Sequence, residues 1–492
     1  MPGGTDFDGS SAERWEWSAD EIRRVGHQVA ELIAQHLTEL PGGPVFRPFP
    51  NEQAQSMLAE PLPERGIPAD EILQRFAAEV MPYPFGNGHP RFAGWINGPP
   101  VVISVLAEAL AAAMNPSVAG GNHAATYVER QVIEWLKQML GYPADAMGLL
   151  VSGGSAATII GLACARHKAT DGQVRSSGVQ CGGRRLAIYT TDQGHSAIAK
   201  AAELLGVGTE SLRAVPTDDQ WRLDPAALEK AIIEDVAAGW RPMAVAASAG
   251  TVNTGAIDPL DAIRQVCDRH SVWLHVDGAY GAPAVVDPRY RPQLEPIRAA
   301  DSLAADAHKW LSIPYDAGVV LVHDAELMRD TFSLVPSYLR ENADPHGVTW
   351  LPWFSEYGLE QTRSFRALKI WMALLYHGRT GYAESICRDN RLADHFAERV
   401  DAHPELELIA HNLSIVCLRA RPAGLPNDQL NAHNQALLRA VQVGGEAFVT
   451  STELNGRFVL RAAFVNPRMT THDTERIVDE IVRQSARERA RG

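Results

Sequence analysis

The sequence predicts an α/β fold built on a largely parallel sheet, with a helical segment before it and a smaller α+β domain after it. Between Leu149 and His323, short apolar strands alternate with helical segments. This alternation is typical of a parallel sheet with helices on both faces. After Gly381 the strands become paired, with Asn455-Gly456 as a hairpin turn. At 492 residues the chain is too long for one ordinary core, so we expect about three units.

The first unit, residues 1–85, is predicted to be helical. Ser18 and Glu21 form a capping box, and apolar residues follow at three- and four-residue steps until a Pro/Gly break at residues 41–44. A second helix is predicted at residues 69–80. The first helix has little of its own chain to pack on, which suggests that it lies across another subunit.

The second unit, residues 86–376, contains the predicted sheet. Strands are predicted at residues 148–151, 186–190, 243–247, 272–276, 302–305 and 319–322, with helices at 100–114, 124–140, 156–167, 197–205, 225–237 and 259–270. A last helix at residues 362–376 is apolar nearly all round and is expected to be buried.

The third unit, residues 377–492, is predicted to be the smaller α+β domain. Its strands are predicted at residues 406–410, 415–420, 448–452 and 458–464, with a helix at 428–441 and a final helix from about Thr471.

Composition and charge describe a globular protein that acts on small molecules. Hydrophobic residues make up 46% of the sequence and charged residues 21%. The net charge of −14 opposes nonspecific binding to nucleic acid and to anionic membranes. The longest apolar stretch, residues 99–113, is too short to span a bilayer.

Cysteine usage indicates a reducing compartment. The five cysteines are scattered and contain no CxxC pair, so neither a zinc site nor a disulfide framework is expected. Residues 1–16 are polar and acidic, and no secretory signal is visible. A cytoplasmic location without a metal site is therefore the expectation.

Lys309 is the first candidate for chemistry. It stands in Asp306-Ala-His308-Lys309-Trp310, between a strand that ends near Asp306 and one that begins near Gly318. A lysine lodged among apolar residues becomes a nucleophile near neutral pH and can form an imine with an aldehyde cofactor. For this pattern alone, a surface lysine that reaches into solvent is the alternative.

Ser152-Gly153-Gly154-Ser155 joins a predicted strand to a helix. The backbone amides of Gly154 and Ser155 and the Ser155 hydroxyl would face a helix N-terminus, where phosphate binds. The segment lacks the lysine of a P-loop and the third glycine of a dinucleotide fingerprint. A bare connection between the two elements would show the same pattern.

Further polar residues follow other strand ends. His195 could stack on a planar ring, move protons or cap the next helix. Asp277 ends an apolar strand, where a carboxylate needs a cation or hydrogen-bond donors. A protonated pyridine nitrogen is such a cation, although Asp277 could instead cap the turn or bind a metal ion. Ala279 would let a ring lie flat, and Thr251 offers a hydroxyl nearby.

The order of these residues favours one cofactor. Ser155, His195, Asp277 and Lys309 each follow the carboxyl end of a predicted strand, where the ligands of parallel sheets bind. Together they offer a phosphate seat, a stacking ring, a partner for a ring nitrogen and an amine. Pyridoxal 5′-phosphate (PLP) needs this set of contacts, so the sequence predicts PLP as the cofactor.

Three segments resemble the group II pyridoxal-phosphate-dependent amino acid decarboxylases, the family of the aromatic-L-amino-acid, histidine and glutamate decarboxylases. They are Tyr189-Thr-Thr-Asp-Gln-Gly-His195-Ser, Trp273-Leu-His-Val-Asp277-Gly-Ala-Tyr280 and Asp306-Ala-His308-Lys309-Trp310, within a resemblance over residues 89–471. The resemblance implies the fold-type I, aspartate aminotransferase-like architecture. It also implies an intertwined homodimer with the active site at the subunit interface, in which the N-terminal segment packs on the partner.

The resemblance implies roles for individual residues. Lys309 resembles the Schiff-base lysine, Asp277 the partner of the pyridine nitrogen and His195 the imidazole that stacks on the ring. These three would be the catalytic residues. The remaining cofactor contacts that it implies are Gly154, Ser155 and His308 at the phosphate, with Thr251 and Asp306. Ala279 is added to the predicted cofactor contacts because its small side chain leaves room for the ring.

The loop at residues 341–355 departs from the family pattern. Decarboxylases of this family usually carry a tyrosine there that returns a proton to the substrate. Counting back from Arg363 puts Phe354 near that position, with Tyr338 and Tyr357 flanking it. Family members with phenylalanine there resemble oxidative aldehyde synthases.

The expected substrate is an aromatic L-amino acid: tryptophan, phenylalanine, tyrosine or dihydroxyphenylalanine. Trp95 falls where aromatic-selective family members have a ring. A contact between this ring and an aromatic substrate adds on the order of 1 kcal/mol of binding free energy beyond burial. Trp95 and Phe354 are the predicted substrate contacts, although Trp95 could instead pack the core. The expected products are the amine and CO2. The alternatives are an aldehyde synthase, a decarboxylase of a non-aromatic amino acid, and a cofactor-binding scaffold without turnover.

Overall fold

Two β-sheets, each with its own apolar core, organise the chain. The computed structural model describes residues 15–181, 183–334 and 353–491. The larger sheet carries the residues that the sequence singles out for chemistry, and the smaller one lies in the C-terminal part of the chain.

The chain begins with three helices, Ala19–Glu39 (α1), Asn51–Ala59 (α2) and Ala69–Glu79 (α3), of which α2 is not predicted. The capping box of α1 is present: Ser18 Oγ accepts from the Glu21 N–H, and the Glu21 carboxylate accepts from the Ser18 N–H. Within α1, Val25 is the buried residue and Ile22 is 57% exposed. An apolar side of α1 is therefore left uncovered by its own chain.

Seven strands of the described chain form the larger sheet, and they include all six predicted ones. They are Met147–Val151 (β1), Leu186–Thr190 (β2), Leu212–Ala214 (β3), Arg241–Ser248 (β4), Trp273–Asp277 (β5), Ser302–Asp306 (β6) and Gly318–Val322 (β7). Their order is β1-β7-β6-β5-β4-β2-β3. Strand β7 runs antiparallel to β1 and β6, and the other pairs are parallel. The sheet is thus largely parallel, as predicted.

Helices alternate with these strands, and β6 and β7 are buried along their whole length. The helices are Val102–Met114 (α4), Ala124–Leu140 (α5), Gly154–Ala169 (α6), Val174–Ser177 (α7), Ala197–Leu204 (α8), Pro225–Ala237 (α9), Leu260–His270 (α10), Arg291–Leu294 (α11) and Ala325–Phe332 (α12). Gly141 ends α5 with a φ of 70°, as its position predicts.

The long helix Ala367–Asp401 (α13) differs from its prediction in two ways. It begins at Ala367 rather than near residue 362, and it continues past Gly378, where φ is 63° and ψ is 172°. Leu375 and Tyr376 are 57% and 72% exposed, so the burial expected at this end is absent within one chain. The division proposed between residues 376 and 377 falls beside the break at Gly378.

The smaller sheet is antiparallel and follows α13. Its strands are Leu406–Asn412 (β8), Ile415–Ala420 (β9), Thr450–Leu454 (β10) and Arg457–Ala463 (β11), in the order β10-β11-β9-β8, with helices Leu430–Val443 (α14) and Thr471–Arg491 (α15). Asn455 and Gly456 have φ values of 50° and 71°, as the predicted two-residue hairpin turn requires. Among the described residues, no helix is both long and apolar enough to cross a membrane.

Candidate active site

A cavity of about 380 Å³ opens at the carboxyl ends of the parallel strands of the larger sheet. Parallel sheets bind their ligands at this edge because the loops that follow the strands converge there. All nine residues predicted to hold the cofactor or catalyse the reaction line this cavity: Gly154, Ser155, His195, Thr251, Asp277, Ala279, Asp306, His308 and Lys309. The fold therefore brings together residues that are up to 155 positions apart in the sequence.

Lys309 lies in the turn that follows β6. Its side chain is 24% exposed, and Nζ lies 3.1 Å from Oδ2 of Asp306, the last residue of β6. The turn is held at its far side by a hydrogen bond from the Ser312 N–H to the Lys309 carbonyl. The amine is therefore presented to the cavity by buried backbone rather than by an exposed loop.

Asp277 is the last residue of β5. Its Oδ1 accepts a hydrogen bond of 3.1 Å from the Ala279 N–H, which fixes the carboxylate at the cavity wall. This contact caps the turn, as one of the alternatives for Asp277 predicts, and Oδ2 has no hydrogen-bond donor among the described residues. Within the part of the chain that the structure describes, no group of three or more His, Cys, Asp or Glu residues is arranged to hold a metal ion.

His195 both caps a helix and faces the cavity. Its Nδ1 accepts a hydrogen bond of 3.1 Å from the Ala197 N–H at the start of α8. In a neutral ring the proton must then lie on Nε2. The capping contact thus fixes the orientation of the ring and leaves an N–H available to a ligand.

The turn at Gly153 and Gly154 offers a seat that can hold an anion. Helix α6 begins at Gly154, so the first N–H groups of the helix lack partners within it. A Cβ on Gly154 would lie 2.9 Å from Ala279 Cβ and 3.0 Å from Asp306 Oδ2. A side chain would therefore fill the space between this turn and the opposite wall of the cavity.

His308 completes the seat. Its Nδ1 accepts from the Ala317 N–H at 3.1 Å, so a neutral ring carries its proton on Nε2. Burial lowers the pKa of His308, and the neutral form is the one expected at neutral pH. Gly153 approaches this ring closely, since a Cβ there would lie 3.2 Å from His308 Cε1.

These features fit PLP. A helix N-terminus and an N–H of His308 can hold a phosphate, a carboxylate at position 277 can hold a ring N–H, and Lys309 supplies the amine. Thr251 also lines the cavity, where its hydroxyl contacts Thr254 Oγ1 at 2.9 Å and accepts from the Ala256 N–H, and its contact with the cofactor stays a prediction.

The two predicted substrate contacts lie outside this cavity in their own chain. The Trp95 ring is 46% exposed and stacks on Phe85 with a centroid distance of 5.3 Å. Phe354 is buried 5.2 Å from the Arg363 guanidinium carbon and lines a second cavity together with Tyr357. Neither placement tests whether these residues contact substrate.

Most of the loop predicted at residues 341–355 lies outside the described residues, and so does Tyr338. The described part begins at Trp353, and Phe354–Glu356 forms a short 3-10 turn. The proton donor therefore stays a prediction.

Three residues of the cavity were not predicted as contacts. Val252, Tyr280 and Tyr315 line it, and Tyr315 donates a hydrogen bond of 2.7 Å to Asn97 Oδ1. Tyr280 belongs to the same motif as Asp277, and this proximity could have pointed to it. Nothing in the local pattern marks Val252 and Tyr315, because their positions depend on how the loops converge. Ile96 also lines the cavity, and it stands in the segment at residues 89–97 that resembles the family's substrate-side wall.

A family model described as "Pyridoxal-dependent decarboxylase conserved domain" matches residues 50–421. An aromatic-L-amino-acid decarboxylase of Bacillus atrophaeus is 33% identical over 474 residues, which cover 96% of both chains. A phenylacetaldehyde synthase of Arabidopsis thaliana is 28% identical and covers 91% of this chain and 92% of its own.

A solved structure, Oryza sativa TDC with PLP and tryptamine, matches with a TM-score of 0.89 and 28% identity, over 96% of this chain and 98% of that chain. This likeness extends through both sheets and the N-terminal helices. Together with the motifs and the cavity, these matches confirm the predicted cofactor, PLP, and the predicted fold. The chain belongs to the pyridoxal-dependent decarboxylase family.

Proposed function

We propose that this PLP-dependent decarboxylase acts on an aromatic L-amino acid and releases the corresponding amine and CO2. The observation that carries the proposal is the meeting of Lys309, Asp277 and His195 at one cavity beside an anion seat. The aromatic specificity is supported by the relatives, which include enzymes named for aromatic amino acids, and by the Trp95 ring.

Bound PLP supplies a cationic ring that accepts the electrons of the broken carbon–carbon bond. The residues of this chain prepare that chemistry. Asp277 would hold the proton on the ring nitrogen, because an opposite charge favours the cationic form. His195 would pack on the ring and offer its Nε2–H, and the α6 N-terminus and His308 would hold the phosphate. Lys309 provides the nucleophilic amine.

We propose a homodimer in which each chain completes the other's active site. Apolar side chains are exposed along α1, α3 and α4, including Ile22, Phe76, Leu106 and Leu110. Exposed apolar side chains in this number are typical of a subunit interface. Light scattering of the purified protein should give the mass of two chains; the mass of one chain would contradict the proposal.

We propose that Trp95 forms part of the substrate wall. Its ring and that of Phe85 are about half exposed on the same side of the chain, and Arg461 fixes their segment by donating from Nη1 to the Trp95 carbonyl at 3.0 Å. The adjacent residue, Ile96, lines the cavity.

The second candidate function is an oxidative aldehyde synthase. Phe354 at the expected position of the tyrosine and the phenylacetaldehyde synthase relative favour it. That reaction consumes O2 and water and yields aldehyde, CO2, ammonia and hydrogen peroxide. A decarboxylase of a non-aromatic amino acid is a further alternative.

One experiment separates these functions. The holoenzyme is given a mixture of L-amino acids with and without oxygen, and the products are identified by mass spectrometry. Equal amounts of amine and CO2, independent of oxygen, support the decarboxylase. Aldehyde and peroxide that disappear without oxygen support the synthase, and amines from aliphatic or acidic amino acids support the non-aromatic alternative.

Two variants extend this experiment. Lys309→Ala should lose both turnover and the visible absorbance of covalently bound cofactor; loss of the absorbance with turnover intact would contradict a catalytic Lys309. If Phe354 occupies the position of the proton donor, Phe354→Tyr should raise the ratio of amine to aldehyde, because a phenol can return a proton.

We also propose a cytoplasmic location. All five cysteines are free, and three of them are buried. Free thiols in this number are typical of a reducing compartment. Fractionation of the source cells would test this proposal.

A further inference from the structure

Asp306 lies against the amine of Lys309, a contact that the family resemblance does not predict. Its side chain is 2% exposed, and Oδ2 lies 3.1 Å from Lys309 Nζ. Oδ1 is buried and has no hydrogen-bond partner among the described residues. A buried carboxylate with one unpaired oxygen depends strongly on the cation that it does contact.

A carboxylate such as that of Asp306 would be an unfavourable ligand for a phosphate. A carboxylate and a phosphate are both anions, and their repulsion is stronger in a buried site than in water. Asp306 lies close to the anion seat, since a Cβ on Gly154 would be 3.0 Å from Oδ2. The donors of the seat are the N–H groups of α6 and of His308, whose Nε2 lies 3.6 Å from Asp306 Oδ2.

No other acid in the described chain replaces Asp306 beside Lys309. It is the only carboxylate there within 4.0 Å of Lys309 Nζ. Asp316, ten residues further on, is held by Arg366 at 3.1 Å. The other ionisable groups that line the cavity are His195, Asp277, Tyr280, His308 and Tyr315. The charges of Asp316 and Lys369 also act on His308.

We propose that Asp306 is the counter-ion of the Lys309 nitrogen and keeps that nitrogen protonated while it is bound to the cofactor. The proposal rests on the proposed function only because it takes PLP as the group that Lys309 binds. An opposite charge at this distance raises the proton affinity of a nitrogen about tenfold or more. The contact therefore controls the charge of the nitrogen and leaves the phosphate to the neighbouring N–H donors.

The test follows the visible absorbance of the holoenzyme as a function of pH. The absorbance of the form that is protonated at the Lys309 nitrogen should disappear as the pH rises. In Asp306→Asn this should happen at a pH at least about one unit lower than in the wild type. Asp316→Asn is the matched control, because it removes a nearby carboxylate that contacts Arg366 instead of Lys309. Its absorbance should change with pH as in the wild type.

A second measurement separates the counter-ion from a phosphate ligand. The cofactor-free full chain is loaded with PLP or with pyridoxal, which lacks the phosphate. A counter-ion role predicts the same shift in Asp306→Asn with both aldehydes. A shift seen with PLP alone, or no shift with either, would overturn the proposal.

Two further outcomes are interpreted separately. If the wild type and Lys309→Ala give the same absorbance with PLP, the result contradicts the proposed function of Lys309 and not only the proposal for Asp306. If Asp306→Asn does not fold, as judged by circular dichroism, Asp306→Ser takes its place, because a smaller neutral side chain also removes the charge.

Discussion

Two parts of the active site, its floor and its rim, differ in how they are built. The floor, which consists of Asp277, His195 and Lys309, follows strand ends of one sheet and faces one cavity within a single chain. The rim, which consists of Trp95 and Phe354, lies outside that cavity: one ring stacks at the surface and the other is buried against Arg363. The cofactor cavity is thus lined by residues at the strand ends of one sheet, whereas the two predicted substrate contacts lie on segments outside it.

The largest effect is expected on the floor. Asp277→Asn should lower kcat for CO2 release on the order of 10²–10³-fold, because an amide cannot hold the ring nitrogen in its cationic form. Stopped assays of CO2 release check this, with bound cofactor measured in parallel. Asp287→Asn is the matched control: this buried aspartate accepts from Asn390 and Arg289, away from the cavity, and its loss should leave kcat within a few-fold. Equal kcat for Asp277→Asn and wild type would contradict the role proposed for Asp277.

A buried network lies beneath the floor. Trp273 Nε1–H donates to Ser302 Oγ at 2.8 Å, and Ser302 Oγ lies 2.9 Å from His275 Nδ1. Because an indole N–H only donates, the serine hydroxyl is free to donate a hydrogen bond to His275 Nδ1. The proton of a neutral His275 ring then lies on Nε2, toward Thr158. His275 shares the face of β5 with Asp277, since side chains two residues apart in a strand point the same way.

The next effect is on acid stability. Complete burial lowers the pKa of His275 to about 4, below its unfolded value of about 6.5, so the folded state binds fewer protons. This stability is fully present above pH 6.5 and is lost as the pH falls toward 4. Between pH 7.5 and 4.5 the loss from His275 is on the order of 2–3 kcal/mol. Urea unfolding of His275→Gln should show a correspondingly flatter pH dependence than the wild type; parallel curves would contradict it.

A smaller effect is expected where the floor meets the smaller sheet. Asn253, close to Thr251 of the cavity, donates from Nδ2 to Gln193 Oε1 at 3.1 Å and accepts from Thr452 Oγ1 at 2.8 Å. Asn253→Ala removes both hydrogen bonds and should lower the free energy of unfolding by about 1–2 kcal/mol. Thermal unfolding compared with Asn253→Asp, which keeps the acceptor, measures this loss. An unchanged midpoint in Asn253→Ala would show that these bonds do not hold the two sheets together.

The smallest effect is expected on the rim. Trp95→Ala should raise KM for aromatic amino acids about fivefold, since one aromatic contact contributes about 1 kcal/mol beyond burial. An aliphatic amino acid, tested in parallel, should show a smaller change. If Trp95 only packs against Phe85, the variant will lose stability while KM for all substrates stays the same, and the rim will need other residues.

Most strands and helices of the larger domain were predictable, because they are long enough to show a clear period. Helices α7 and α11, with four residues each, and helix α12 were not predicted. Strand β3 has three half-buried or exposed residues, Leu-Arg-Ala, which show no usable period. Residues 362–366 were predicted as helix because they are followed by apolar residues, but Arg363 there donates to the carbonyls of Val118 and Leu150 and pairs with buried Glu129. These tertiary contacts override local propensity.

The sequence by itself determined the sheet, the cofactor and the residues of the floor, because strand ends of a parallel sheet meet at one edge and motif residues at those ends share a ligand. Only the tertiary structure decided that Asp306 contacts the Lys309 amine, that Tyr315 and Ile96 complete the cavity, and that Trp95 and Phe354 lie away from it in their own chain. The physical reason is that side-chain contacts between distant loops follow from how the loops converge, and no local pattern records that convergence.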